Sequence, residues 1–194
     1  MQSSPPPLEM APKVPLTAVV LIPPEVVWEP IQAIRRQHDR QVRRWMPHVT
    51  LLYPFRPYEE FDATAGALAE ACRGVEPFEV ALAEFRWFSH GRRGFTMWLS
   101  PEPAEKLVEL HEALWLTAPD CNHVRRHAVG FVPHLSVGQV RDRRGLERLI
   151  ATFQADWRPI RFRATAVSLI RREDPPDDVF RVDRRLPLGA RREE

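Results

Sequence analysis

Two short stretches of the chain repeat one pattern, Pro47-His48-Val49-Thr50-Leu51 and Pro133-His134-Leu135-Ser136-Val137. In an extended strand successive side chains alternate between faces, so His48 and Thr50 share one face while Val49 and Leu51 take the other. The same alternation pairs His134 with Ser136 and sets Leu135 and Val137 opposite. Each stretch therefore offers an imidazole and a hydroxyl about 7 Å apart along the backbone, held by an apolar backing. Seven His and 44% hydrophobic residues make two such matches improbable, since fewer than about 0.1 would arise by chance.

Two imidazoles and two hydroxyls facing one groove suit the making or breaking of a phosphodiester at a ribose hydroxyl. A neutral imidazole removes a proton from the attacking oxygen, and an imidazolium protonates the leaving oxygen. An unperturbed pKa of about 6.5 equips His48 and His134 for either role, and the sequence leaves open which is base and which is acid. Thr50 and Ser136 would bind the phosphate by donating hydrogen bonds to its non-bridging oxygens. The scheme calls for no metal and no cofactor.

Further candidates for substrate contact are Tyr53, Arg56, Gln139 and Arg141. Strict alternation turns Tyr53 away from His48, which favours packing in the core or at the rim over base stacking. Arg125-Arg126 and Arg141, Arg143 and Arg144 flank the second motif, as solvated surface or as phosphate contacts. Cys121-x-His123-x-x-x-His127 contains metal-capable residue types but lacks a nearby ligand to complete a site, and a loop role is expected. His38 is expected to pack, His90 to sit in a turn, and His111 to be exposed on a helix.

The elements that must position these groups alternate along the chain. Leu16 to Ile22 is a buried-strand run stopped by Pro23-Pro24, and Val27, Ile31, Ile34, Val42 and Trp45 predict a helix over 25–45. His48 to Phe55 then reads as a strand, and Phe61, Ala65, Leu68 and Cys72 as a helix. Strands over 78–87 and 94–100 flank a turn, and Leu107, Leu110, Leu114 and Ala118 mark another helix. A strand over 132–140, a helix with Leu146, Leu149, Ile150, Phe153 and Trp157, and strands over 160–170 and 179–186 complete the plan. Both motifs thus sit on a strand after one long helix and before another. The expected class is α+β and bilobal, with duplicated β-α-β units, antiparallel or mixed sheets flanking a central cleft, and helices outside. Residues 1–13 read as a leader, 14–188 as one bilobal domain, and 189–194 as a charged tail.

Composition narrows the class further. With 194 residues the chain can build one substantial core. No apolar stretch approaches the roughly 20 residues that span a bilayer, and the two Cys are too few for a disulfide framework. A cytoplasmic location with no membrane association and no obligate protein partner is the expectation. The net charge of +2 hides a bias: of 28 basic residues only Lys13 and Lys106 are Lys. Cys121 to Arg172 carries 11 basic against 3 acidic side chains, and Arg56 to Asp120 carries 6 against 12. Arginine's planar fork suits phosphate, although genome composition alone can also enrich Arg.

At these residues the chain resembles the two-histidine phosphoesterase superfamily of RNA 2′,5′-ligase-like proteins and cyclic phosphodiesterases. The resemblance rests on the paired motifs, the opening strand with Pro23-Pro24 before a helix, the run Pro47 to Phe55, and Val179-Phe180-Arg181-Val182 before Leu186-Pro187-Leu188. It implies a bilobal fold about a pseudo-twofold axis, His48 and His134 as acid and base, and Thr50 and Ser136 as phosphate binders. It also implies metal-independent hydrolysis of 2′,3′-cyclic phosphates on nucleotides or RNA ends, which would be the partners. The alternatives are a 2′,5′ ligase or phosphodiesterase, and a nucleotide- or RNA-binding module without turnover. Relatives often follow the motif with a basic residue, where Leu52 and Gln139 stand here, and this weighs against long RNA.

Overall fold

A computed structural model of the chain describes residues 12–125 and 130–189. Most of the expected leader and tail, together with Arg126 and His127, lie outside the described residues. Eight strands and four α-helices follow in the order β1 (Thr17–Leu21), α1 (Trp28–His38), β2 (Val49–Leu52), α2 (Phe61–Arg73), β3 (Phe78–Ser89), β4 (Phe95–Glu102), α3 (Ala104–Trp115), β5 (Leu135–Val140), α4 (Arg143–Asp156), β6 (Ile160–Ala164), β7 (Ala166–Arg171) and β8 (Arg181–Pro187). The strands form two four-stranded antiparallel sheets, β2-β1-β7-β8 and β5-β4-β3-β6. The α+β, two-lobed expectation holds.

Each motif strand is the edge of its own sheet, and the two edges lie side by side. Two of the four described helices cross between the lobes. α1, which follows β1 of the first sheet, packs on β5 of the second, whereas α3, which follows β4, packs on β2. Gly138 permits the first contact, since a Cβ there would lie 2.7 Å from the Cβ of His38. His111 fastens the second by donating from Nδ1 to the Leu51 carbonyl at 2.8 Å. A single apolar cluster runs through both sheets, from Val19, Leu21 and Leu51 to Leu99, Leu135 and Val137. β1 is buried on both faces, as its unbroken apolar run requires.

Three expectations need correction. The helix predicted over 25–45 ends at His38: Asp39 is extended, and its carboxylate takes the N–H of Gln41 at 2.9 Å, so a side chain replaces the next helical turn. Residues 40–46 then descend as turns, which lays Trp45 over the first sheet. The strand predicted over 160–170 is two strands in different sheets, divided at Thr165. His111 is fully buried rather than exposed, stacked on Phe131 with ring centroids 4.0 Å apart.

Candidate active site

The motif strands begin alike. His48 Nδ1 lies 2.7 Å from the carbonyl oxygen of Met46, and His134 Nδ1 lies 2.8 Å from that of Val132. Each acceptor stands two residues before its histidine and immediately before the proline. A carbonyl can only accept, so each Nδ1 carries the proton, and in the neutral ring each Nε2 keeps its lone pair. One backbone device thus fixes the same tautomer in both lobes.

The hydroxyls behave alike too. Thr50, His134 and Ser136 line an inter-lobe cleft of about 750 Å³ together with Tyr53, Phe88 and Gln139. Val49, Leu51, Leu135 and Val137 are buried behind them, as alternation requires. Immediately after each hydroxyl the ladder slips by one residue. On β1, Val20 faces Thr50 but Val19 faces Leu52, and on β4, Trp98 faces Ser136 but Met97 faces Gly138. The extra residues are Leu51 and Val137. Such bulges re-aim the side chains that follow, and they return Tyr53 and Gln139, each three residues after its hydroxyl, to the cleft. The core or rim placement that strict alternation gives Tyr53 is therefore corrected: its ring lies edge-on to Trp45 at 5.8 Å and borders the cavity.

Each imidazole rests on aromatic rings. Trp45 stacks on His48 with centroids 4.6 Å apart and planes 18° apart, while Phe88 meets His134 edge-on at 4.9 Å. Burial pushes the pKa of His48 down to about 4, against the opposing bond to Met46, and the charges of Arg35 and His134 add to the shift. His48 is therefore neutral at physiological pH. The Arg35 and Asp39 side chains form a buried ion pair at 2.8 Å. Asp39 also accepts from Gln139 Nε2 at 3.0 Å, and Gln139 Oε1 accepts from the Arg40 backbone N–H at 3.0 Å. Gln139 therefore ties the second motif strand to the end of α1.

Arg40, Arg93, His90 and His123 add cationic or protonatable groups to the cleft, and among the described residues no Asp or Glu lines it. His90 bonds through Nε2 to the Thr96 hydroxyl at 2.9 Å. The sequence pattern did not single out these residues as cleft groups, because they converge only through the β3–β4 hairpin and the loop before β5. Trp45 was hidden for a similar reason, having been assigned to a helix stripe. Two of the sequence candidates stand elsewhere. Arg56 is buried at 4% exposure, with its guanidinium on the Asp120 carboxylate, and Arg141 is exposed at the end of β5. Neither is among the residues lining the cavity. Leu52 is wholly inside the core.

The sequence over residues 23–176 matches the model of the 2′-5′ RNA ligase superfamily. The chain belongs to that superfamily. A Geobacillus kaustophilus protein with a provisional phosphoesterase name is 28% identical over 150 residues, covering 76% of this chain and 81% of that one. A Halalkalibacterium halodurans protein named in the same way is 30% identical over 122 residues, 62% of this chain and 68% of that one. Two solved structures share the fold: a Thermus thermophilus protein at TM-score 0.61 and 20% identity, covering 91% of this chain and all of that one, and Escherichia coli LigT in complex with 3′-AMP, at TM-score 0.60 and 17% identity, covering 90% and 98%. Superfamily membership makes the chain a two-histidine phosphoesterase or ligase-like protein. Among the described residues no helix is long and apolar enough to cross a membrane.

Proposed function

We propose that the chain hydrolyses 2′,3′-cyclic phosphates of nucleotides or RNA ends, without a metal, through His48 and His134. The observation that carries this reading is the matched pair of Nδ1-to-carbonyl bonds, which leaves each Nε2 with its lone pair in the neutral ring. His134 lines the cleft, and His48, itself not a lining residue, stands two residues before Thr50, which is. His48, neutral at physiological pH, takes a proton from the attacking water. As the water oxygen bonds to phosphorus, one ribose–oxygen bond to phosphorus breaks. His134, entering the step as imidazolium, passes its Nε2 proton to the departing ribose oxygen. The product is a nucleotide with one free ribose hydroxyl and a phosphomonoester on its neighbour. Thr50 and Ser136 donate to the non-bridging oxygens, and Arg40 and Arg93 supply a cationic approach for the anion. LigT's complex with 3′-AMP, a ribose phosphomonoester of the kind this reaction releases, supports a nucleotide substrate.

The test is turnover of 2′,3′-cyclic AMP in EDTA by the wild type and by His48→Ala and His134→Ala. Release of the phosphomonoester by the wild type, reduced at least about 10²-fold in each variant, is expected. Undiminished turnover in both variants would overturn the assignment.

A further inference from the structure

A second cavity, of about 430 Å³, opens on the same face of the first sheet but shares no lining residue with the catalytic cleft. Strand register explains its position. Thr50 faces Val20, Val20 faces Ser168, and Ser168 faces Arg185, so one row of side chains crosses β2, β1, β7 and β8. Thr50 lines the catalytic cleft at one end of the row, and Ser168 and Arg185 line the second cavity at the other. Trp45 and Met46 pack on the apolar cluster of Ala18, Val20, Ile170 and Phe180 on the same sheet. Two strand spacings, about 10 Å, separate the Thr50 and Ser168 positions.

The chemistry of this second cavity is specific. Ser168 is only 4% exposed and borders the cavity, where its hydroxyl reaches solvent. A hydroxyl on a cavity wall can donate to a bound acceptor. Arg185, directly opposite on β8 and exposed, makes no ion pair among the described residues. From facing positions on β8 and β7, guanidinium and hydroxyl can together hold an anionic oxygen. Trp28 and Met46 supply an aromatic and a thioether wall beside it. Glu25 is the sole carboxylate among the lining residues, against Arg163 and Arg185, and Arg163 already meets Glu79 at 3.4 Å.

We infer that this cavity is a second nucleotide site, with a phosphate held by Ser168 and Arg185 and a base against Trp28 and Met46. The Met46 carbonyl accepts from His48, so one residue borders this site and orients a catalytic imidazole. The occupant is a phosphate-bearing nucleotide unit. It comes either free from solution or as the upstream residue of an oligoribonucleotide whose cyclic end lies in the catalytic cleft.

Calorimetry of the full chain with 5′-AMP, beside Ser168→Ala and Arg185→Glu, tests the site without relying on turnover. A binding event weakened by about tenfold or more in Arg185→Glu, with cyclic AMP turnover and melting temperature unchanged, is expected. The source follows from comparing KM for 2′,3′-cyclic AMP with that for a dinucleotide bearing the same cyclic end. A lower KM for the dinucleotide, lost in Arg185→Glu, identifies the upstream residue; equal KM values with 5′-AMP binding retained identify a free nucleotide. Nucleotide affinity and length dependence that ignore both substitutions would overturn the inference. Failure of cyclic phosphate turnover, by contrast, bears on the proposed reaction alone, because the calorimetric arm does not use it.

Discussion

At the scale of single residues, the chemistry depends on two rings held in one tautomer but surrounded differently. His48 is packed against Trp45 and loses hydration, so its pKa falls to about 4. In the proposed reaction its neutral form is the base, so activity should be lost as pH falls through about 4 rather than through the ordinary imidazole range near 6.5. A profile of kcat/KM for 2′,3′-cyclic AMP from pH 3 to 8 should show that displaced acid limb. Trp45→Ala, which admits water to the ring, should move the limb upward. An acid limb that stays near 6.5 in the wild type would contradict the assignment of His48 as base. In the proposed reaction the hydroxyls act on developing charge, so Thr50→Ala and Ser136→Ala should each lower kcat by about 10²-fold, with a smaller change in KM. Steady-state kinetics on the two variants checks this. These four residues were legible in the sequence because each needs only local alternation to be placed. Trp45 and Phe88 were not, because what they do for the imidazoles depends on turns and a hairpin whose paths no local pattern records.

Among the elements, two bulges and one glycine determine what reaches the cleft. Without the extra residues Leu51 and Val137, Tyr53 and Gln139 would turn toward the core. After Thr50 the sequence runs on through Leu51-Leu52-Tyr53 with no mark of a bulge, which is why regular alternation misplaces Tyr53. Helices α2, α3 and α4 were legible from their spacing. The end of α1 was not, since Val42 and Trp45 continue its apolar stripe although Asp39 has already diverted the backbone. Gly138 depends on tertiary contact alone. A Cβ there would meet the His38 Cβ at 2.7 Å and its carbonyl oxygen at 3.1 Å, and backbone cannot step aside as a flexible side chain can. Gly138→Ala should therefore destabilise the fold by about 1–3 kcal/mol and lower activity as α1 lifts from β5. His38→Ala should not rescue it, because alanine keeps the offending Cβ. Urea unfolding of the single and double variants measures both effects.

For the whole molecule, the exchange of α1 and α3 means that each motif strand carries a helix from the other lobe. The duplication was legible as a repeat, but which helix covers which strand was not, because both arrangements bury the same apolar faces. His111 follows from this exchange: it is buried because α3 lies on β2, where its ring accepts from Arg125 and its Nδ1 meets the Leu51 carbonyl. At the opposite interface the fastening is the pair of hydrogen bonds made by Gln139. Arg35, 2% exposed, has its charge met by Asp39, and Asp39 and Arg40 hold Gln139 of the other lobe. Removing the carboxylate leaves a buried guanidinium without its counter-charge, so Asp39→Ala should cost about 3–5 kcal/mol. Glu109→Ala, which breaks the exposed pair with Lys106, should cost less than about 1 kcal/mol. Gln139→Ala removes the tie but strands no charge. It should therefore cost about 1 kcal/mol of stability while lowering kcat, as β5 loses its register against α1. Urea midpoints for the three variants, set beside their turnover of cyclic AMP, test this ordering. If Asp39→Ala unfolds no more readily than Glu109→Ala, the end of α1 does not depend on the buried pair, and the apolar cluster that both sheets share must hold α1 on β5 alone.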